Sequence, residues 1–296
     1  MWIQNAPVVT HLAYAPDGRT LYALDRSGAL TAWDIAARTS RKLASISQWA
    51  LSIGCGIYPL ADGQRIASLD AYWVTVFDTT TGRELGGVKR LTEHKSGLRN
   101  ITPEGRIFYL KTGAIAVGVW NLTTRDSEPP RDIPKAARRL QNFDVSRDEQ
   151  MVALVGTKGA VTVYEWGDGP ALQNPVALAG VHTDARFSPD GRTLALFSEK
   201  RLHLCATHAP TNPLVAVDID HRNAEATFAF HPSAPVFVAL NRSKHLTLFS
   251  SETGAALRSL DFALGRNVTC VAFSPDGLTC AVGGSNKQFA VFDVDV

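Results

Sequence analysis

VTCVAFSPDG, LTCAVGGSNK and QFAVFDVDV, residues Val268–Val296, alternate apolar with small or polar side chains in each of three pieces. That period of two is the signature of strands with one buried face. Ser274-Pro275-Asp276-Gly277 joins the first two pieces. Proline presets φ at about −65° in the second turn position, and Asp and Gly accept the remaining turn geometry. The stretch predicts a three-strand meander that ends in Phe292-Asp293.

The same unit recurs along the chain. Aligned on Pro275, the turn position falls at Pro16, Ala61, Pro103, Arg147, Pro189 and Pro232, in steps of 42 to 45 residues. An aromatic or soft apolar residue follows 16 or 17 positions later: Trp33, Phe77, Trp120, Tyr164, Cys205, Phe249 and Phe292. Each unit reads as a first strand, a turn, a second strand such as Leu21–Leu24 or Leu194–Phe197, and a third strand. Turn residues such as Thr79-Thr80-Thr81-Gly82 follow, and then a short fourth strand such as Arg41–Ser45, Glu84–Val88 or Ala256–Leu260. Regular repetition without an intervening linker predicts one all-β domain over residues 1–296.

Trp33-Asp34, Phe77-Asp78 and Phe292-Asp293 close their third strands, and Ser188–Leu196 reads SPDGRTLAL. On these residues the repeat resembles the WD-repeat family of β-propellers, whose blades take ~40–45 residues. The resemblance covers essentially the whole chain. It implies a seven-bladed β-propeller of four-stranded antiparallel blades and protein partners. Family members often carry a His before the first strand and an Asp between the second and third, which build a buried network. Here His221 alone falls at the His position, and its blade has Arg242-Ser243 where the Asp belongs. The other blades offer Asn5, Ala50, Thr92, Ala136, Leu178 and Leu264 at that offset. The fold is therefore expected to rest on apolar packing between blades and on the turns.

The last repeat lacks a fourth strand, since nothing after Phe292-Asp293 corresponds to Ala256–Leu260. Only Met1–Gln4 can pair with Gln288–Val294. The expectation is a short, weak clasp, or a three-stranded last blade whose open edge invites strand addition or dimerisation of an otherwise monomeric protein.

Hydrophobic residues make up 45% of the chain and charged residues 20%, an ordinary balance for a globular protein. No apolar run reaches the ~18 residues of a membrane helix. Met1–Pro7 has neither a basic n-region nor an h-region, so a cytoplasmic protein without a secretory signal is expected. Cys55, Cys205, Cys270 and Cys280 sit in apolar strand patterns and read as buried thiols. A disulfide between Cys270 and Cys280, on neighbouring strands, stays open at this point.

In such a ring the second-to-third and fourth-to-first connections share one face, here the top. The second-to-third turns carry Arg26, Lys111, Lys158, Lys200, Arg201, Arg242, Lys244 and Lys287, with Tyr72-Trp73 in blade two. The fourth-to-first connections add Lys89, Arg90, Lys135, Arg138, Arg139, Arg222 and Arg266. Acids such as Asp25, Asp70, Glu199, Asp218 and Asp220 are fewer there, which leaves the top positive and able to steer an anionic partner. On the bottom, acids such as Asp17, Asp62, Asp190 and Asp276 are roughly balanced by Arg19, Arg65 and Arg192. Trp49 and Trp73 add aromatic anchors of the kind that dominate interfaces. The candidate partner site is Arg26, Trp49, Trp73, Lys111, Lys158, Lys200, Arg201, Arg242, Lys244 and Lys287, for a protein or acidic peptide. Solvated turn cations without a partner are the plain alternative.

Catalytic and metal motifs are missing. No histidine pair has metal-ligand spacing, and there is no G-x-S-x-G elbow or phosphate-cradling glycine loop, so no cofactor is expected. His203 and Cys205 lie two apart on one strand and read as blade interior rather than a nucleophilic pair. A lactonase- or hydrolase-type propeller enzyme is one alternative, which an activity screen with added metal separates. Polyanion or nucleic-acid binding is the other, against which stand a pI of 8.4 and the lack of a basic run or stacking motif.

Overall fold

A computed structural model describes residues 1–46, 56–69, 73–89, 98–111, 116–134, 139–198, 200–210, 213–219, 227–240, 245–260 and 268–295. Its 28 strands form seven four-stranded sheets. Blade one is β2–β5 (Val9–Tyr14, Thr20–Asp25, Ala29–Asp34, Thr39–Ser45). Blade two is β6–β9 (Gly56–Pro59, Arg65–Leu69, Trp73–Asp78, Glu84–Lys89), and blade three is β10–β13 (Leu98–Ile101, Arg106–Leu110, Ala116–Asn121, Asp126–Asp132). Blade four is β14–β17 (Leu140–Val145, Met151–Gly156, Val161–Glu165, Gln173–Leu178), and blade five is β18–β21 (Asp184–Phe187, Thr193–Phe197, Arg201–Ala206, Pro213–Asp218). Blade six is β22–β25 (Phe228–Phe230, Val236–Leu240, Leu246–Ser250, Ala256–Leu260). Blade seven joins β26–β28 (Val268–Phe273, Thr279–Gly284, Gln288–Asp293) to β1 (Trp2–Asn5). Neighbouring strands are antiparallel, as in the pairs of blade seven.

The turns between first and second strands repeat one piece of chemistry. Gly277 N donates to Ser274 O at 2.9 Å, and Ser274 Oγ donates to Asp276 Oδ1 at 2.6 Å. Asp276 Oδ1 also accepts from Leu278 N, and Thr279 N donates back to Ser274 Oγ at 2.9 Å. Ser146 with Asp148, and Ser188 with Asp190, build the same turn. The fourth position has positive φ, which favours glycine. Blade four puts Glu149 there at φ 58°, and its carboxylate reaches back across the seam to Arg106 of blade three.

Burial follows the alternation of the strands. Within a blade the third-strand aromatic faces the preceding blade, and the residue before it faces the next one. Phe77 thus packs with Leu24 and Leu30 of blade one, while Val76 packs with Ile107 and Tyr109 of blade three. Each of the seven seams between consecutive blades holds its own apolar cluster. The expected apolar basis of the fold is realised seam by seam.

Closure falls on β1, with Trp2 opposite Val291 and Asn5 opposite Gln288. Four residues are a short strand, as expected, but the joint is anchored. Trp2 meets Phe289 edge-on at 5.4 Å and Trp33 of blade one at 6.2 Å. Gln288 Nε2 donates to Asn5 Oδ1 at 3.0 Å, and Ala6 N donates to Lys287 O at 2.9 Å. The alternative of a three-stranded last blade with an open third-strand edge is corrected: β1 covers the edge of β28. The disulfide question is closed by register. Cys280 stands opposite Phe273 and packs toward blade six, while Cys270 stands opposite Gly283 and packs toward blade one. Both thiols are free, and so is that of Cys205.

Candidate functional site

Blade topology puts all second-to-third turns at one end of the ring. In blade one Asp25 builds the turn: its Oδ1 accepts from Ser27 N at 2.8 Å, Ser27 Oγ at 2.6 Å and Ala29 N at 3.0 Å. With the carboxylate folded inward, Arg26 projects into solvent. The Lys158 turn of blade four is stapled on both sides, by Thr157 N to Arg139 O at 2.7 Å and by His182 N to Gly159 O at 2.8 Å. Ile219 N holds Lys200 O at 3.1 Å, and Lys287 O accepts from Ala6 N. Hydrogen-bonded backbone thus presents Arg26, Lys158, Lys200 and Lys287 as exposed side chains. None of the four makes an ion pair with a described residue.

The remaining candidates differ. Arg201 is exposed, but its Nε meets Asp218 Oδ1 at 3.2 Å, which offsets part of its charge. Lys111 is half-buried, and its backbone N donates to Ala116 O. Trp73 is 43% exposed at the start of β8. Trp49, Arg242 and Lys244 lie outside the described residues, as does Cys55.

Three features escaped the counting of offsets. The first is a polar seam on the first strands of blades four and five. Asn142 Nδ2 donates to Asp184 Oδ1, Phe187 N donates to Asp144 Oδ2 at 2.8 Å, and Arg186 Nε meets Asp184 Oδ2 at 3.3 Å. Burial pushes the Asp144 carboxyl up to about 6, against the opposing pull of the Phe187 N–H and Arg186. Asp144 gives a partner to a backbone N–H on the inner edge of blade five, a structural use of the carboxylate.

The second is His182, seven residues before Pro189, in the connection between blades four and five. The family offset pointed to Leu178 instead, because this connection is short. His182 is buried, with Nε2 3.0 Å from Ala179 O and its ring edge-on to His203 at 6.0 Å. Burial, then the neighbouring His182 and Arg201, hold His203 below the ordinary imidazole range. Cys205 is buried and its thiol is pushed up by that burial, which disfavours a thiolate there. The blade-interior reading of His203 and Cys205 agrees with this placement.

The third is a cavity of about 730 Å³ between blades one and two at the bottom. Tyr22, Ala32, Asp34 and Arg41 line it from blade one, and Ala61 and Thr79 from blade two. No single residue type announces it in the chain.

Seven four-stranded blades arranged by sequential seams define a β-propeller. The WD domain, G-beta repeat family model matches residues 256–293, which span β25 and the three strands β26–β28. Together these support a WD-repeat β-propeller. The match crosses a blade boundary, since one sequence repeat supplies the outer strand of one blade and the inner three of the next. No curated protein matches the chain. WD-repeat propellers commonly serve as protein-interaction scaffolds and are typically not enzymes. Among the described residues no helix is long and apolar enough to cross a membrane.

Proposed function

We propose that the protein is a non-catalytic interaction module that docks an acidic peptide or protein segment on its top face. The observation that carries this reading is the set Arg26, Lys158, Lys200 and Lys287, exposed on tethered turns and without ion-pair partners among the described residues. A scaffold that fixes its turns lowers the ordering cost of a docked partner. Trp73 and the half-paired Arg201 extend the surface, and Lys111, Trp49, Arg242 and Lys244 belong to the same set of connections. The buried reduced thiols Cys205, Cys270 and Cys280 fit a reducing, cytoplasmic setting.

The test is fluorescence anisotropy with a labelled glutamate-rich peptide, read from low to high salt. Binding is expected to weaken at least tenfold with salt and in the combined Arg26→Glu, Lys158→Glu, Lys200→Glu variant, because screened surface charges steer and hold such partners. Affinity unchanged by both salt and charge reversal would sink the reading.

A further inference from the structure

At the bottom of the ring the seam between blades one and two is opened by two small residues. Ala32 occupies the third-strand position just before the aromatic. The other six repeats hold Val76, Val119, Val163, Leu204, Leu248 and Val291 there. Ala61 stands in the turn position that is proline in five repeats. Opposite Ala32 lies Tyr22, buried, its phenol pushed up by that burial while the Thr79 hydroxyl bonds to it. The result is the cavity of about 730 Å³, within the ~300–1,000 Å³ typical of ligand sites.

Its charge is one-sided. Asp17, Asp34 and Asp62 line it, and Arg41 is the only Lys or Arg among its lining residues. Arg41 is turned to blade two, where Nη1 donates to Thr80 O at 2.9 Å and Nη2 donates to Thr79 O. Asp62 is paired with Arg65 Nε at 2.5 Å. Asp17 and Asp34 each give one oxygen to a turn amide, Arg19 N at 2.9 Å and Ala37 N at 2.7 Å. Neither makes an ion pair with a described residue, and Arg19 and Arg38 of the same turns do not line the cavity. Two carboxylates therefore face a recess whose inner wall is Tyr22 and Ala32.

We propose that this cavity is a second docking site, which takes a short basic segment of a partner protein. A lysine or arginine head sits between Asp17 and Asp34, and its aliphatic stem covers Tyr22 and Ala32, as long cationic side chains do on apolar surface. The site lies at the opposite end of the ring from the proposed acidic-partner face and has the opposite charge, so the two readings stand or fall separately.

The experiment is anisotropy with a fluorescein-labelled hexapeptide of alternating Arg and Gly, on the full chain at low salt. Saturable binding is expected. The Asp17→Asn, Asp34→Asn double variant weakens it about tenfold, since both carboxylates that face the cationic head lose their charge. Ala32→Leu weakens it to a similar degree with the charge unchanged, by filling the recess. Ala32→Val does the same more gently, and Phe108 opposite Val119 shows that an aromatic–valine pair fits this position. Asp218→Asn, which removes an exposed acid at the opposite end of the ring, leaves it unchanged. Absence of saturable binding, or binding that folded Ala32→Val and the double variant hold at the wild-type level, overturns the proposal. So does loss of binding in Asp218→Asn, which would move the peptide to the other face.

Discussion

Asp144 is a half-buried residue whose carboxylate accepts a backbone hydrogen bond across a seam. Its value of about 6 lies above the 3.8 of an unperturbed aspartate, so the folded chain holds that proton more tightly than the unfolded one. The stability linked to this group is complete below the unfolded value and is lost as pH rises through the folded one. Asp144→Asn removes the charge and keeps an oxygen for Phe187 N. The Asn variant is expected to gain about 2 kcal/mol over wild type at about pH 7.5, with the difference closing near pH 4. Thermal melts across pH check this, and a variant that melts no higher at neutral pH contradicts it. His231 is a second such residue: its Nδ1 accepts from Ser233 N and Ala234 N, and its Nε2 bonds Gly277 O of blade seven at 3.1 Å. A Cβ on Gly277 would stand 2.2 Å from His231 Cε1, on a backbone at φ +77°. Gly277→Ala is expected to cost about 2–3 kcal/mol, more than His231→Ala at about 1–2 kcal/mol, from strain added to lost bonds. Chemical denaturation orders the two, and the reverse order would count against the clash.

At the scale of elements, β1 is the piece most dependent on one side chain. Trp2 packs edge-on against Phe289 and Trp33, whereas Ile3 on the same strand is 43% exposed. Trp2→Ala should cost about 2 kcal/mol and Ile3→Ala only a few tenths, because truncation costs track burial. Similar losses in thermal unfolding for both would mean that backbone pairing, not the indole, holds the clasp. The blades were readable in the chain because turn and aromatic recur at fixed spacing, and Ala256–Leu260 coincides with β25. The anchoring of β1 was not, since four residues have no periodicity and the partners of Trp2 lie at the far end of the chain and in blade one. The top-face cations were readable because turns are local. Their neutralisation was not: Asp218 reaches Arg201 from the next strand of the same blade. The bottom cavity stayed hidden for a related reason. Balancing Asp17 and Asp62 against Arg19 and Arg65 treats a face as a sum, whereas Arg65 pairs with Asp62 and leaves Asp17 and Asp34 without an ion-pair partner among the described residues.

At the scale of the whole molecule, stability is shared around a ring. Each blade packs through one apolar cluster on either side, so stability is close to a sum of blades and nearest-neighbour seams. The seam between blades seven and one has a second tie, because β1 belongs to the blade-seven sheet while its indole rests on Trp33 of blade one. Tyr14 and Thr279 add a hydrogen bond of 3.0 Å across the same seam. Removing residues 1–5 strips the β1 tie and leaves the Tyr14–Thr279 bond and the apolar cluster of that seam. The ring then has two ends, and its terminal blades can open without the others. A urea titration of the truncated protein should show a lower midpoint and a shallower slope than the full chain, because terminal blades unfold before the rest and the transition loses cooperativity. Cleavage by a low dose of protease should start in blades one and seven. A truncated protein with the wild-type midpoint and slope would show that apolar packing of β2 against β26 closes the ring unaided.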